Sequence, residues 1–516
     1  MKNIKYILLS AVVIGFTACA EPEDVLEDNN IDTTVVVLPE LTAGTADFST
    51  FVALGASFTA GYTDGALFIA GQENSFPNIL AQQFANVGGG AFTQPLMNDN
   101  IGGLLFGGAP SLDAQGNNRF APRFYFDLDA GSPVRLTDAS TTDIFVNNPT
   151  GPFNNMGVPG AKSFHLLFDG YGNPANLATA TANPYFVRMA SSPTATVLGD
   201  AMAQSPSFFT ISEIAGNDVL GYALAGGDVT IDQITPQAMF DGAFGALITT
   251  LTSNNAQGVV ANIPYITSLP HFTTVPHNPI PLDAATAGFL NSVNAYGAYN
   301  AGIQGAFAYL VSVSALSQED ANAEIAKRTI TFAPGDGNAV VIFDESLTDL
   351  TGINVNLVSM RQATADDLIV LSASSFIGTE AVPGNPATVN GVGIPLADKW
   401  VLLPSEQLEI KMAIDAFNAT IESAADSAGL AFVDTNALLQ QLAGSGYASG
   451  DFVLTSNLVT GGAFSLDGVH STSRGYALLA NEFMKAIDAT YGSNFEASGN
   501  LVDIGDYPTN YSPTLQ

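Results

Sequence analysis

Short apolar runs recur along this chain, each bounded by a small or loop-forming residue and alternating with helical patterns. They constrain the fold more than any other feature. Residues 51–54 (Phe-Val-Ala-Leu) end at Gly55, residues 207–211 (Ser-Phe-Phe-Thr-Ile) lead to a loop at Gly216, residues 258–263 close on Pro264, and residues 430–434 follow Gly429. These runs are β-branched or aromatic and of strand length, without the polar alternation of a half-exposed strand. Between them lie helical periods. Residues 75–85 place Phe76, Ile79, Leu80 and Phe84 on one face, with Pro77 in the first turn. Residues 236–251 are helical. Residues 404–428 carry the stripe Ile410, Ile414, Phe417 and Ile421, with Gly429 in the C′ position. A last helix spans 473–491, with Tyr476, Leu479, Phe483 and Ile487 facing inward. Strands buried on both faces and separated by helices predict an α/β fold with a parallel sheet covered on each side. The 516 residues, 47% of them hydrophobic, suffice to bury such a core.

The two ends and the intervening stretches divide the chain. Lys2 and Lys5 precede an apolar run over 7–16 that is too short to span a bilayer, and Phe16-Thr17-Ala18-Cys19 follows. This segment resembles a bacterial lipobox, with Phe16 where leucine is usual. The resemblance implies cleavage before Cys19 and lipidation of that residue. Cys19 is the single cysteine of the chain, so no disulfide competes for it. A secretory peptide with an incidental cysteine is the alternative. The acidic residues Glu21, Glu23, Asp24, Glu27 and Asp28 fit either an outer-face export mark, as in some Gram-negative lipoproteins, or a plain solvated tether. The expected organisation is a signal peptide over 1–18, an acidic tether over 19–47, a globular domain over 48–490 and a C-terminal tail over 491–516. The expected location is the cell envelope, lipid-anchored at the outer membrane. Insertions are expected near 90–150, which reads as loops with short aromatic runs, and near 265–400. The second insertion carries a helix over 284–313 and strand-like pieces at 329–332, 339–343 and 368–371.

With 48 acidic against 14 basic residues, the net charge of −34 repels nucleic acid, and no basic patch offers to neutralise phosphates. Neutral substrates suit such a surface better than polyanions.

Four histidines, His165, His271, His277 and His470, are the whole supply of imidazole bases. His470 stands directly before the last helix, and Asp467 precedes it by three residues across Gly468. That spacing lets a carboxylate fold back and fix the imidazole tautomer, although an Asp-x-x-His pair also occurs in ordinary surface turns. Ser57, in Gly55-Ala56-Ser57-Phe58-Thr59-Ala60-Gly61, lies at the C-terminal end of the first strand, where open α/β sheets place their sites. By itself it reads equally as a capping serine in a tight turn. His165 reads as a structural or rim residue. His271 and His277 flank Pro276 in a loop without tight ligand spacing, so no metal is expected there. Asn98-Asp99-Asn100 and Asp336-Gly337-Asn338 read as polar turns, because neither continues to the ligand positions of a calcium loop.

Taken together, four segments resemble the conserved blocks of the SGNH (GDSL) hydrolases, in family order. They are Gly55-x-Ser57-x-Thr59-x-Gly61, Asn155-Met156-Gly157-Val158-Pro159-Gly160, Gly216-Asn217-Asp218 and Asp467-Gly468-Val469-His470. The resemblance implies a three-layer α/β/α, flavodoxin-like domain with large insertions, and an esterase or lipase that needs no cofactor. It casts Ser57 as nucleophile, His470 as base and Asp467 as the carboxylate behind it. Its oxyanion donors are the N–H groups of Ser57 and Gly160 and the side chain of Asn217, with Gly157 competing for the role of Gly160. The short helix after Ser57 would add its dipole. One departure stands out: the family usually carries aspartate where this chain has Ala56. Expected partners are an ester substrate (lipid, acylated sugar or acetylated glycan) and a membrane, reached through the lipid anchor. The oligomeric state is open. Two other readings stay in view. One is a non-catalytic glycan- or lipid-binding lipoprotein on the same fold. The other is a β-rich lipid transporter, suggested by 33 phenylalanines.

Overall fold

The computed structural model describes residues 37–515. The signal peptide, Cys19 and the acidic residues that follow it lie outside that range. Five short strands form one parallel sheet: β1 (Phe51–Gly55), β2 (Asn155–Gly157), β3 (Phe208–Ile211), β4 (Gln257–Ala261) and β5 (Ala431–Val433), in the order β5-β4-β3-β1-β2. The register pairs Phe51 with Phe208, Ala53 with Asn155 and Ala431 with Val259. Every residue of β1 and β3 is buried, so both faces of the sheet are covered.

Seven helices position the candidate site: α1 (Ser57–Ala60), α2 (Phe76–Ala85), α3 (Gly216–Leu224), α4 (Gln237–Leu251), α5 (Pro404–Ala428), α6 (Thr435–Ala443) and α7 (Ser473–Tyr491). α7 packs on α2 and over β4 and β5, with Phe76 and Phe483 rings 4.9 Å apart. α5 packs on α3 and α4, with Phe240 and Phe417 at 4.3 Å. The helices expected over 75–85, 236–251, 404–428 and 473–491 all form, and Gly429 ends α5 in the left-handed conformation (φ 65°). The α/β class is therefore that of the structure, and the described residues do not form the β-dominated fold of a lipid transporter. None of their helices is long and apolar enough to cross a membrane.

The second insertion departs from expectation in two places. The helix expected over 284–313 is broken into Ala284–Leu290 and Tyr296–Ser312. The segment 329–332 joins no strand. One cause links both. Asn291, at the break, gives its side-chain N–H to the Phe332 carbonyl (2.8 Å) and takes the Phe332 N–H (2.9 Å). Asn300 does the same for Ile330, at 2.8 and 3.0 Å. Side-chain amides thus supply the hydrogen bonds that a neighbouring strand would otherwise provide. Strands do form at Val341–Phe343 and Leu368–Ile369. In the first insertion, Phe124–Asp127 and Ser132–Arg135 pair as a hairpin.

Neither end of the described chain hangs free. Thr45 N–H donates to Tyr491 O at 2.8 Å, so residues just before 48 belong to the domain rather than to the tether. Tyr511 packs its ring 5.0 Å from Phe68, and the fully buried Arg123 donates to the carbonyls of Tyr511, Ser512 and Leu515. The C-terminal tail therefore closes over the first insertion.

Candidate active site

Ser57 opens α1 directly beyond the C-terminal end of β1. Because it occupies the first helical position, its N–H has no partner in the turn. α1 is a single turn, so the dipole expected there reduces to a few free N–H groups. Gly157 of β2 lies against α1, where a Cβ would come within 2.3 Å of Ala60 N; only glycine allows this approach. Its N–H is already given to Asn155 Oδ1 at 3.0 Å. Gly160, in the left-handed region (φ 79°), presents an N–H with no acceptor among the described residues. Of the two glycines that compete for the donor role, Gly160 is thus the one with a hydrogen bond to give.

The loop that carries Gly160 is tied down from α3. Asn217 Nδ2 donates to Ala161 O at 3.0 Å, leaving its second hydrogen available. Asp218 accepts from Ser163 N and Ser163 Oγ at 2.9 and 2.8 Å. Asn217 and Asp218 thus both hold the 161–163 segment that follows Gly160.

Asp467 and His470 form a close pair, with His470 Nδ1 2.8 Å from Asp467 Oδ2. The same carboxylate accepts from Gly65 N, Val469 N and His470 N, each at 2.9 Å, and from Ser465 Oγ at 3.1 Å. Burial alone would raise its pKa, but the His470 charge and these donors hold it well below the usual carboxylate range. An ionised Asp467 requires the proton on Nδ1, which leaves Nε2 as the free base. Two aromatic rings from the α1 turn flank the imidazole: Phe58 at 5.5 Å and Tyr62 at 4.6 Å between centroids. A clasp joins the turns, with Asp64 N donating to Ser465 Oγ (3.0 Å) and Leu466 N to Asp64 Oδ1 (3.1 Å). Ser57 and Val469, one residue before the histidine, face the same cavity. No hydrogen bond joins the Ser57 hydroxyl to His470 or to any other described group.

Sequence reasoning missed Glu213. It follows β3, with its backbone in the left-handed region (φ 41°), and folds its carboxyl under the Ser57 turn. Glu213 Oε1 accepts from Ala56 N at 2.7 Å and Thr59 N at 3.2 Å. Its Oε2 faces the hydroxyls of Ser212 and Thr59. Burial pushes its pKa up to about 7, against these hydrogen bonds and the His470 charge, which lower it. A carboxyl thus reaches the turn that Ala56 leaves without one, from a different strand. The signal was a lone charged residue between an apolar strand and Gly216-Asn217-Asp218; its target is set only by the strand order.

His271 is also more than a loop residue: its N–H donates to Gly468 O at 2.9 Å, bracing the Asp467–His470 turn. His165 is structural. Its Nδ1 accepts from Lys162 N at 3.0 Å, its ring stacks on Tyr171 at 4.6 Å, and burial lowers its pKa to about 4. The one carboxylate or histidine cluster among the described residues with cation-binding spacing is Glu345, Asp398 and Glu406, which includes neither His271 nor His277. Asp99 spends its carboxylate on Ile101 N, Gly102 N and the Thr141 amide and hydroxyl, as a polar turn does.

Ser57 and Asn217 share one cavity with Val469, the neighbour of the oriented His470 imidazole, and Asn217 holds the residue after Gly160. Such a set can run nucleophilic acyl transfer. No family model, curated protein or solved structure matches the chain.

Proposed function

We propose that this chain is a serine hydrolase of the SGNH class that cleaves carboxylic esters through an acyl-enzyme. The observation that carries the reading is the ionised Asp467 bonded to His470 Nδ1, beside a strand-end serine whose own N–H is free. The sheet order supports it: counted along the chain, the strands run 2-1-3-4-5, the order of flavodoxin-like sheets, whose ligands bind beyond the strand C-termini. In this mechanism Ser57 Oγ attacks the ester carbonyl as His470 Nε2 takes its proton. Ser57 N–H, Gly160 N–H and Asn217 Nδ2 receive the negative oxygen. The imidazolium, stabilised by Asp467, then protonates the departing alcohol, and water repeats the sequence on the acyl-serine. Ser57 and His470 must close to hydrogen-bond distance on substrate, as catalytic pairs often do on leaving the apo state.

The missing Ser57–His470 hydrogen bond favours a second reading, a glycan- or lipid-binding lipoprotein without turnover. Hydrolysis of p-nitrophenyl acetate by the wild type and by Ser57→Ala separates the two. The hydrolase reading expects a loss of at least 10³-fold; a wild type no faster than the variant sinks it. The anchor belongs to the same proposal, placing the domain at the outer membrane on a lipid at Cys19. Cys19→Ser is expected to move the protein from the membrane to the soluble fraction, and unchanged membrane association would refute the anchor.

A further inference from the structure

Beside Ser57 a cavity runs beneath the C-terminal end of the sheet. Its walls come from α3, from the loop after β4, from α6, from the loop before α7 and from α7 itself, through Leu220, Ile263, Leu438, Leu439, Phe464 and Leu479. Ile263, Leu439, Phe464 and Leu479 are buried. No lysine or arginine lines the cavity. Several of its polar wall groups are spent on one another: Ser212 Oγ donates to the carboxyl of Glu213, and Thr435 Oγ1 donates to Asn262 Oδ1 at 3.1 Å. Ser57 and Asn217, the proposed nucleophile and an oxyanion donor, are on the same wall. A group entering here therefore meets an apolar surface while one end stays beside Ser57.

We infer that this cavity is the acyl-chain pocket of the site and selects esters of neutral, unbranched acids of about four to six carbons. The inference rests on the ester-hydrolase reading and narrows it. The cavity measures about 110 Å³, against roughly 150 Å³ for an apolar cavity that accepts a benzene ring. It thus has room for about four carbons beyond the carbonyl. An anionic or hydroxylated chain would leave its polar groups unpaired against leucine. The acyl part stays bonded to Ser57 through both steps while the alcohol departs after the first, so the cavity beside Ser57 is assigned to the acyl chain.

The test measures kcat/KM for p-nitrophenyl esters from acetyl to decanoyl, and for acetates of ethanol, butanol and hexanol. Each methylene buried is worth about fourfold, so butyryl is expected to exceed acetyl by about 15-fold, with the gain stopping near hexanoyl. Leu438→Phe, which fills the cavity, is expected to lower the hexanoyl-to-acetyl ratio at least tenfold, whatever its absolute rate. Leu442→Ala, which enlarges it, is expected to move the plateau to longer chains. A flat acyl series, or a gain that follows the alcohol chain, overturns the pocket while leaving the hydrolase intact. If no ester is turned over, calorimetric titration of Ser57→Ala protein with methyl hexanoate and methyl acetate decides the pocket alone. At least tenfold tighter binding of the hexanoate supports it, and equal affinities refute it.

Discussion

Replacing Glu213 by glutamine separates the charge of this carboxyl from its hydrogen bonds. Both peptide N–H groups of the Ser57 turn go to Oε1, which an amide oxygen reproduces. Oε2 faces only hydroxyls, which can accept from an amide N–H as readily as they donate to a carboxylate. The variant therefore imitates protonated Glu213. The wild type must ionise a buried group whose pKa is raised from the ordinary 4.5 to about 7. At about 1.4 kcal/mol per pH unit, the ionised form costs roughly 3 kcal/mol of folding stability. The sign follows from the raised pKa: the wild type matches the variant below pH 4.5, falls behind as pH rises, and carries the full deficit above 7. Urea unfolding of both proteins at pH 5 and pH 8.5 measures this as a difference of differences, in which the titrations common to both cancel. A gap that changes by less than about 0.5 kcal/mol between the two pH values would refute the buried, charge-averse environment assigned to Glu213. Glu213→Ala, which strands both N–H groups, is expected to lose about 2–4 kcal/mol at pH 5, and about 3 kcal/mol less than that at pH 8.5, where it also removes the buried charge.

Asp467→Asn preserves the shape of the pair but removes the charge that fixes the His470 tautomer. Ester turnover is expected to fall about 10³–10⁴-fold with folding retained, as read by kcat and circular dichroism; a loss below tenfold would remove Asp467 from the mechanism. Deleting residues 509–516 takes three carbonyl acceptors from the buried Arg123. A loss of about 3 kcal/mol or more in urea unfolding is expected, and an unchanged midpoint would show that the tail is dispensable.

Four of the five sheet strands and the long helices were legible because each is a local pattern, whereas the three-residue β2, Asn155–Gly157, carries no apolar run and was not. An apolar run that ends at Gly55 or Pro264 reads as a strand, and the stripe of α5 ends at Gly429, without reference to any other part of the chain. The Asp467–His470 pair was legible for the same reason, since three residues and a glycine turn suffice to close it. The break at Asn291 was not, because a helical period continues through it and only a partner 41 residues away, Phe332, makes the interruption favourable. Glu213 was hidden in the same way. Its side chain acts on the Ser57 turn only because β3 lies next to β1, and adjacency in a parallel sheet depends on the crossovers between strands rather than on any local run of residues. The cavity beside Ser57 is less local still, built from α3, α6, α7 and the loop after β4. Residue pattern thus determined the elements and the acid–imidazole pair, while tertiary packing decided what surrounds the serine.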